Sequence, residues 1–303
     1  MSRLFDCDNL SAIAEYFPKT LYKAKVFLGL EKDMFTKYVM CPRCDKLYTH
    51  EQSFVTTSTG KRKSATCNYV EFPRHPHKKQ RQQCGALLLK HMRSKTGTEY
   101  LVPKRTYCYQ SLIQALQNLT QRHGFLESCN SWKKNVATDG VYRDIYDGAI
   151  WKNFKDRNGN SFWDDSHNLG LTINIDWFQP HRHTVNSVGA IYLVIQNLPR
   201  TERYKEENVI LVGIIPGPSE PHHDINSYLA PLVDELLELW VGVELEDTSD
   251  KGKNTYRAAL LCVACDTPGA RKTAGFMSHT ALHGTQVFPN LDQYVVNKCT
   301  LQS

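Results

Sequence analysis

Four dense apolar runs between residues 169 and 265 constrain the fold of this 303-residue chain more than any other feature. The runs are Leu169–Asp176, Ser187–Gln196, Asn208–Ile215 and Arg257–Cys265. Such β-branched runs are typical of strands that are buried on both faces. Between the third and fourth runs, apolar residues at helical spacing predict a helix with Asp224 as its N-cap. Pro268 then predicts the start of a further helix.

An aspartate ends the first run and another directly follows the fourth, at Asp176 and Asp266. The predicted order β-β-β-α-β-α, with carboxylates in these positions, is the layout of the ribonuclease-H-like fold. In that fold the first and fourth strands are adjacent and parallel, so we expect the two carboxylates to meet at the carboxyl edge of the sheet. Such a pair can bind Mg²⁺ for chemistry on phosphates. Each aspartate also has an ordinary alternative, because Asp266 can cap the next helix and Asp176 can begin a turn.

Positive charge is concentrated in one segment of the chain. Residues 61–105 hold twelve Lys/Arg and two Asp/Glu, a net charge of +10, whereas the remaining residues sum to −4. A concentrated basic stretch is typical of nucleic-acid binding, although a solvated loop is the ordinary alternative. The predicted DNA contacts are Lys61, Arg62, Lys63, Arg74, Lys78, Lys79 and Arg81.

The same part of the chain is rich in cysteine. Cys41 and Cys44 form a Cys-x2-Cys knuckle, and Cys67 and Cys84 follow. Four thiolates make a tetrahedral structural Zn²⁺ site. A module with so little apolar content has a small core, so it needs a metal or a similar cross-link to fold stably. His75 or His77 can substitute for one of the later cysteines, and free reduced thiols are the alternative to metal binding.

Composition narrows the class of protein. The chain is 41% hydrophobic and 22% charged, which is ordinary for a soluble globular protein. Its longest apolar run is too short to cross a bilayer, and its first residues lack a secretion signal, so we expect no membrane contact and a nuclear or intracellular location.

These observations predict an α/β chain with a ribonuclease-H-like mixed sheet and flanking helices, preceded by a small zinc-binding module. The predicted organisation is an N-terminal helical segment (1–37), the basic cysteine-rich zinc module (38–105), a helical connector with short further elements (106–168), a ribonuclease-H-like core (169–283) and a tail (284–303).

Several strings in one order resemble the transposases of CACTA-type (En/Spm and Plavaka-like) DNA transposons. They include Asn174-Ile-Asp-Trp-Phe-Gln-Pro180, Gln196-Asn-Leu-Pro199, the Pro-Gly-Pro that ends at Pro218, Leu229-Ala-Pro-Leu-Val-Asp-Glu-Leu-Leu-Glu-Leu-Trp240 and Asp266-Thr-Pro268. The resemblance implies a DDE/D enzyme in which a metal-activated water cuts a DNA strand and the freed 3′-hydroxyl attacks target DNA. The family's first two catalytic aspartates fall on Asp176, in Asp-x-Phe-x-Pro, and on Asp266, in Asp-x-Pro.

The chain also departs from this family. His181 stands where an aromatic residue commonly follows the proline, and after Gly284 the family's next Cys-x2-Cys pair and third acid do not appear. We therefore expect a chain truncated in mid-domain, which cleaves and transfers transposon-end DNA incompletely or not at all. The alternatives are a domesticated or decayed relic that binds DNA without catalysis, and a nuclease without strand transfer. Assembly as a homo-oligomer stays open.

Overall fold

The central strands of the molecule follow the apolar runs of the sequence. The computed structural model describes residues 34–71, 76–77, 80–135, 138, 140–180, 187–218, 220–221, 225–248, 252–265, 269 and 273. The chain divides into two units, Met1–Thr36 and Lys37–Ser303, and nearly all described residues belong to the second. Of the predicted N-terminal helical segment (1–37), residues 34–37 are described, and 35–37 form the start of a strand, so the helix prediction is wrong there. Residues 1–33, Asp224, Pro268 and the tail lie outside the described residues.

The described strands are β1 Phe35–Met40, β2 Leu47–Tyr48, β3 Phe54–Thr56, β4 Arg62–Ser64, β5 Leu89–Arg93, β6 Glu99–Pro103, β7 Arg105–Gln110, β8 Asn168–Phe178, β9 Val188–Ile195, β10 Val209–Ile215, β11 Val243–Glu246 and β12 Lys253–Cys265. The described α-helices are α1 Leu112–Thr120, α2 Phe125–Asn130, α3 Ala149–Asn153, α4 Arg200–Arg203 and α5 Asn226–Val241. Short 3₁₀ turns occur at Glu51–Ser53, Ser131–Lys134, Ile145–Asp147, Phe162–Asp164 and Glu206–Asn208.

Eight of the strands form a large, curled, mixed sheet in the order β11-β12-β8-β9-β10-β7-β1-β2. Strands β8, β9 and β10 are antiparallel neighbours, whereas β12 runs parallel to β8. The four predicted strands and the helix between them are therefore confirmed, as is the parallel pairing of the first with the fourth. Strand β11, which pairs antiparallel with β12, is not anticipated by the sequence analysis.

The first residues of the predicted helical connector (106–168) form a strand instead, as part of β7. Tyr107 and Tyr109 alternate inward along β7 and are almost fully buried. The hydroxyl of Tyr107 donates to the carbonyl oxygen of Tyr228 at 2.9 Å, which ties β7 to α5. The helical spacing of leucines begins only at Leu112, where the Ser111 side chain caps α1 by accepting from the backbone N–H of Gln114.

The sheet separates two apolar clusters. The main core packs α1 and α5 against one face and contains Leu169 and Leu171 of β8. An aromatic cluster covers the other face, where Trp151 and Trp163 stack with ring centroids 3.7 Å apart beside Gly170. Among the described residues, none of the helices combines the length and the apolar character that crossing a lipid bilayer requires.

Candidate catalytic edge and metal centre

Asp176 lies near the carboxyl end of β8, on its exposed face. The odd-numbered residues from Leu169 to Ile175 are buried in the main core, so alternation along the strand turns Asn174 and Asp176 to the opposite face. The Asp176 side chain is exposed, and one carboxylate oxygen accepts the backbone N–H of Trp177 at 2.9 Å.

Strand β12 runs beside this edge. Its last described pair joins Cys265 to Ile175, one residue before Asp176. The Asn174 side-chain amide donates to the carbonyl oxygen of Ala264, which locks the two parallel strands together next to the edge. Asp266 itself lies outside the described residues.

A β-bulge at Leu261 sets which side chains of β12 share the face of Asp176. Before the bulge, Leu260 faces the main core opposite Leu171. The register then shifts by one residue, so that Val263 and Cys265 face the core, whereas Cys262 and Ala264 are exposed. Bulges often re-aim side chains beside functional sites. The shift turns the even-numbered end of β12 to the face that carries Asn174 and Asp176.

The four cysteines chosen from the sequence come together in space. The sulfur atoms of Cys41, Cys44, Cys67 and Cys84 all lie within 4.8 Å of one another, and they are the metal-type cluster found among the described residues. The Cys41–Cys84 and Cys44–Cys67 sulfur distances are 3.6 and 3.4 Å. Tetrahedral zinc with bonds of about 2.3 Å requires sulfurs about 3.8 Å apart. The four cysteines can therefore bind a metal ion such as zinc.

Tight turns present the four thiols. In the first turn the backbone N–H of Asp45 donates to the carbonyl oxygen of Cys41 at 3.2 Å, and Asp45 adopts a positive φ of 58°. In the second half of the cluster the N–H of Gly85 donates to the carbonyl oxygen of Cys67 at 2.9 Å. His77 is not part of this cluster, and His75 lies outside the described residues.

The surroundings of Cys41 favour its thiolate form, whereas burial raises the pKa of the Cys84 thiol. A hydrogen bond from Cys44 lowers the pKa of the Cys41 thiol to about 4, and the same contact raises the pKa of Cys44. The backbone N–H of Arg43 donates to the Cys41 sulfur at 3.4 Å, and the Tyr48 hydroxyl donates to the Cys67 sulfur at 3.1 Å. Donors of this kind orient the ligands of a metal and tune their basicity.

The predicted DNA contacts divide into described and undescribed residues. Lys61, Arg62 and Lys63 are exposed on the β3–β4 hairpin, where the Arg62 guanidinium lies 4.3 Å from the ring centre of Phe54. Arg81 is half-buried. Arg74, Lys78 and Lys79 lie outside the described residues.

Arg105 connects the cysteine cluster to the central sheet. Its guanidinium pairs with the carboxylate of Asp45 at 2.7 Å and donates to the carbonyl oxygen of Pro216 at 2.9 Å. Asp45 belongs to the first cysteine turn, and Pro216 directly follows β10. The sequence analysis did not identify this contact, because Arg105 and Pro216 are separated by 111 positions.

A buried arginine, Arg203, was also missed. Arg203 is 4% exposed and makes a bidentate pair with Asp144, both contacts at 2.9 Å. The Tyr146 hydroxyl joins the pair and contacts the carbonyl oxygen of Leu198 at 2.8 Å. These bonds hold the loop after β9, and an arginine in the polar stretch that follows Pro199 gives no local signal of this role.

Comparison with known proteins identifies the family. A model described as Transposase family tnp2 matches residues 139–300, a range that contains β8 to β12 and both aspartates but begins after the cysteine cluster. No curated protein and no solved structure matches the chain. Because the matched range covers more than half of the sequence, the chain belongs to the Transposase family tnp2.

Proposed function

We propose that this chain carries the catalytic core of a CACTA-type DNA transposase, with Asp176 and Asp266 binding Mg²⁺ for strand cleavage and transfer. Membership of the transposase family supports the reaction class. The arrangement of β8, β9, β10, α5 and β12, with its single parallel pair, supports a ribonuclease-H-like core. In this proposal residues 169–283 form the core and residues 38–105 a zinc module.

The observation that carries the catalytic assignment is the register of β12 on β8. The last described pair, Cys265 with Ile175, stops one residue before each aspartate. Strand β8 continues past Asp176 to Phe178, so if β12 continues by a single residue, Asp266 would pair with Asp176 and the two side chains would share one face. The bulge at Leu261 is needed for this placement. Without it Cys265 would pair with Asp176, and Asp266 would pair one residue beyond Asp176.

The donor set at this edge suits a hard divalent cation. Asp176 is exposed and keeps one carboxylate oxygen free of the backbone contact to Trp177. Bound Mg²⁺ would supply Lewis-acid stabilisation of the phosphate and an activated water. The chain's own part is to hold the two carboxylates on neighbouring parallel strands. The Asn174–Ala264 hydrogen bond keeps those strands in register.

DNA is the proposed substrate, and transposon ends the proposed sequence. The exposed cations of the β3–β4 hairpin would contact phosphates without reading sequence, as lysine and arginine contacts generally do. A nuclear location follows from a DNA substrate. A homo-oligomer would bring two transposon ends together, but no described contact bears on that assembly.

Strand cleavage tests the catalytic assignment. We expect Mg²⁺-dependent nicking of duplex DNA by the full chain, and a loss of at least about 100-fold in Asp176→Asn, because several kcal/mol of charge stabilisation depend on the bound metal. Asp164→Asn, an exposed aspartate in the turn before β8, is the matched control and should nick like the wild type. Equal nicking by wild type and Asp176→Asn would refute the assignment. DNA binding without nicking by the wild type would favour the non-catalytic relic.

A further inference from the structure

The β5–β6 hairpin is a two-stranded antiparallel ribbon within the basic segment. Met92 pairs with Tyr100, and Lys90 pairs with Val102. The tip is closed by a hydrogen bond from the backbone N–H of Thr98 to the hydroxyl of Ser94 at 3.1 Å.

One face of the ribbon is anchored and the other is open. Leu89 is buried, and Leu101 packs against it in the apolar cluster around the cysteines. Alternation turns Lys90, Met92 and Tyr100 to the opposite face. Met92 and Tyr100 are 43% and 47% exposed, so an aromatic–thioether pair faces solvent across the two strands. Exposed apolar side chains clustered in this way often mark a binding surface.

Positive charge surrounds this pair. Lys90 and Lys95 are exposed, and neither makes an ion pair with another described residue. Arg93 lies on the other face, with Leu89, and is paired across the strands with Glu99, the acid of the hairpin. Cations without acidic partners can bind a polyanion. The exposed tyrosine can in addition contact bases, which a nucleic acid offers beside its phosphates.

The ribbon continues the basic surface already assigned to DNA. The backbone N–H of Leu89 donates to the hydroxyl of Ser64 at 2.8 Å, and Thr66 forms a bridge with Leu87. Strand β4, which carries Arg62 and Lys63, therefore ends beside the start of β5. The cations of the two hairpins lie on adjoining strands of one module.

We propose that the β5–β6 ribbon enters a groove of duplex DNA, with Lys90 and Lys95 on the phosphates and Tyr100 and Met92 against the bases. A two-stranded ribbon fits the major groove, and ribbons of this kind read DNA in several architectures. Apolar side chains that reach the bases contact thymine methyl groups or wedge between base steps. The inference rests on the proposed function, because it takes DNA as the partner.

Binding can be measured separately from cleavage. The zinc-loaded full chain is titrated without Mg²⁺ against a fluorescent 24-base-pair duplex of random sequence, and against one of its single strands, over a series of salt concentrations. Lys90→Ala with Lys95→Ala should reduce the slope of log affinity against log salt by about 2, since each phosphate contact contributes about 0.9. Tyr100→Ala should weaken duplex binding roughly tenfold at every salt concentration and leave the slope unchanged.

Matched controls separate this effect from general damage. Tyr204→Ala removes a tyrosine that is 65% exposed outside the module, and Lys155→Ala removes an exposed lysine there. Both should bind duplex like the wild type. Each hairpin variant should also retain the wild-type zinc content and thermal midpoint, which excludes loss of the module as the cause.

Three outcomes would overturn the proposal. If the hairpin variants bind duplex DNA like the wild type, the proposed role of the ribbon is refuted and the catalytic proposal is unaffected. A Tyr100→Ala loss confined to single-stranded DNA would exclude a duplex groove. Absence of duplex binding by the wild type at low salt would refute both proposals. Conversely, if the hairpin variants lose duplex binding while the wild type binds DNA but does not nick it, that result would refute the catalytic proposal and support the role of the ribbon in DNA binding.

Discussion

At the scale of single residues, Gly170 shows how closely β8 packs against the bulge of β12 and the aromatic cluster. A Cβ at this position would lie 2.6 Å from a methyl group of Leu261 and 2.9 Å from the ring of Trp163. Leu261 is the bulged residue of β12, so the missing side chain at Gly170 makes room for the bulge. The stacked Trp151 and Trp163 rings leave little space for adjustment.

We predict that Gly170→Ala lowers the free energy of unfolding by about 1–3 kcal/mol, the usual cost of overpacking a buried site. Urea denaturation measures this change. Leu261→Ala removes the closest of the contacting atoms, so Gly170→Ala should cost less in that background than in the wild type. Equal costs in both backgrounds would mean that the bulge and the glycine are not coupled.

At the scale of elements, the sequence predicted what regular patterns encode. The runs of β8, β9 and β10 and the helical spacing of α5 appear in the structure close to their predicted bounds. Strand β7 was missed because the leucines that follow it dominate the pattern, although Tyr107 and Tyr109 already alternate. The bulge was not predictable, because the apolar run from Ala258 to Cys265 offers similar side chains in either register.

The register set by the bulge predicts the relative alkylation rates of two cysteines of β12. Cys262 is exposed and Cys265 packs against the main core, so alkylation of the native chain should modify Cys262 faster than Cys265. Peptide mapping after brief treatment with iodoacetamide measures both rates. In a bulge-free pairing Cys262 would face the core opposite Ile173, so slower alkylation of Cys262 than of Cys265 would contradict the observed register.

At the scale of the whole molecule, the cysteine cluster and the central sheet are connected. Two strands next to the cluster, β1 and β2, extend the large sheet, and Arg105 joins Asp45 to the end of β10. The sequence indicated the four cysteines because of the Cys-x2-Cys knuckle. It could not indicate this connection, which depends on contacts between residues far apart in the chain.

We predict that the purified chain contains one zinc ion, and that Cys67→Ser abolishes stoichiometric zinc and exposes residues 41–84 to protease. The reason is that four thiolates supply most of the stability of a module with a small core. Cys108→Ser alters a cysteine of β7 outside the cluster and should retain zinc. Full zinc content in Cys67→Ser would contradict the assignment of the four ligands.

The central claim is that Asp176 and Asp266 share divalent cations, and a double-mutant cycle of Mn²⁺ affinity tests it most directly. Mn²⁺ replaces Mg²⁺ because free Mn²⁺ can be followed by electron paramagnetic resonance. We predict that Asp176→Asn and Asp266→Asn each weaken binding by at least about tenfold, and that the double variant loses clearly less than the sum of the two free-energy changes, since neighbouring ligands of one site are not additive. Additive losses, or Mn²⁺ binding unchanged by either substitution, would contradict the claim.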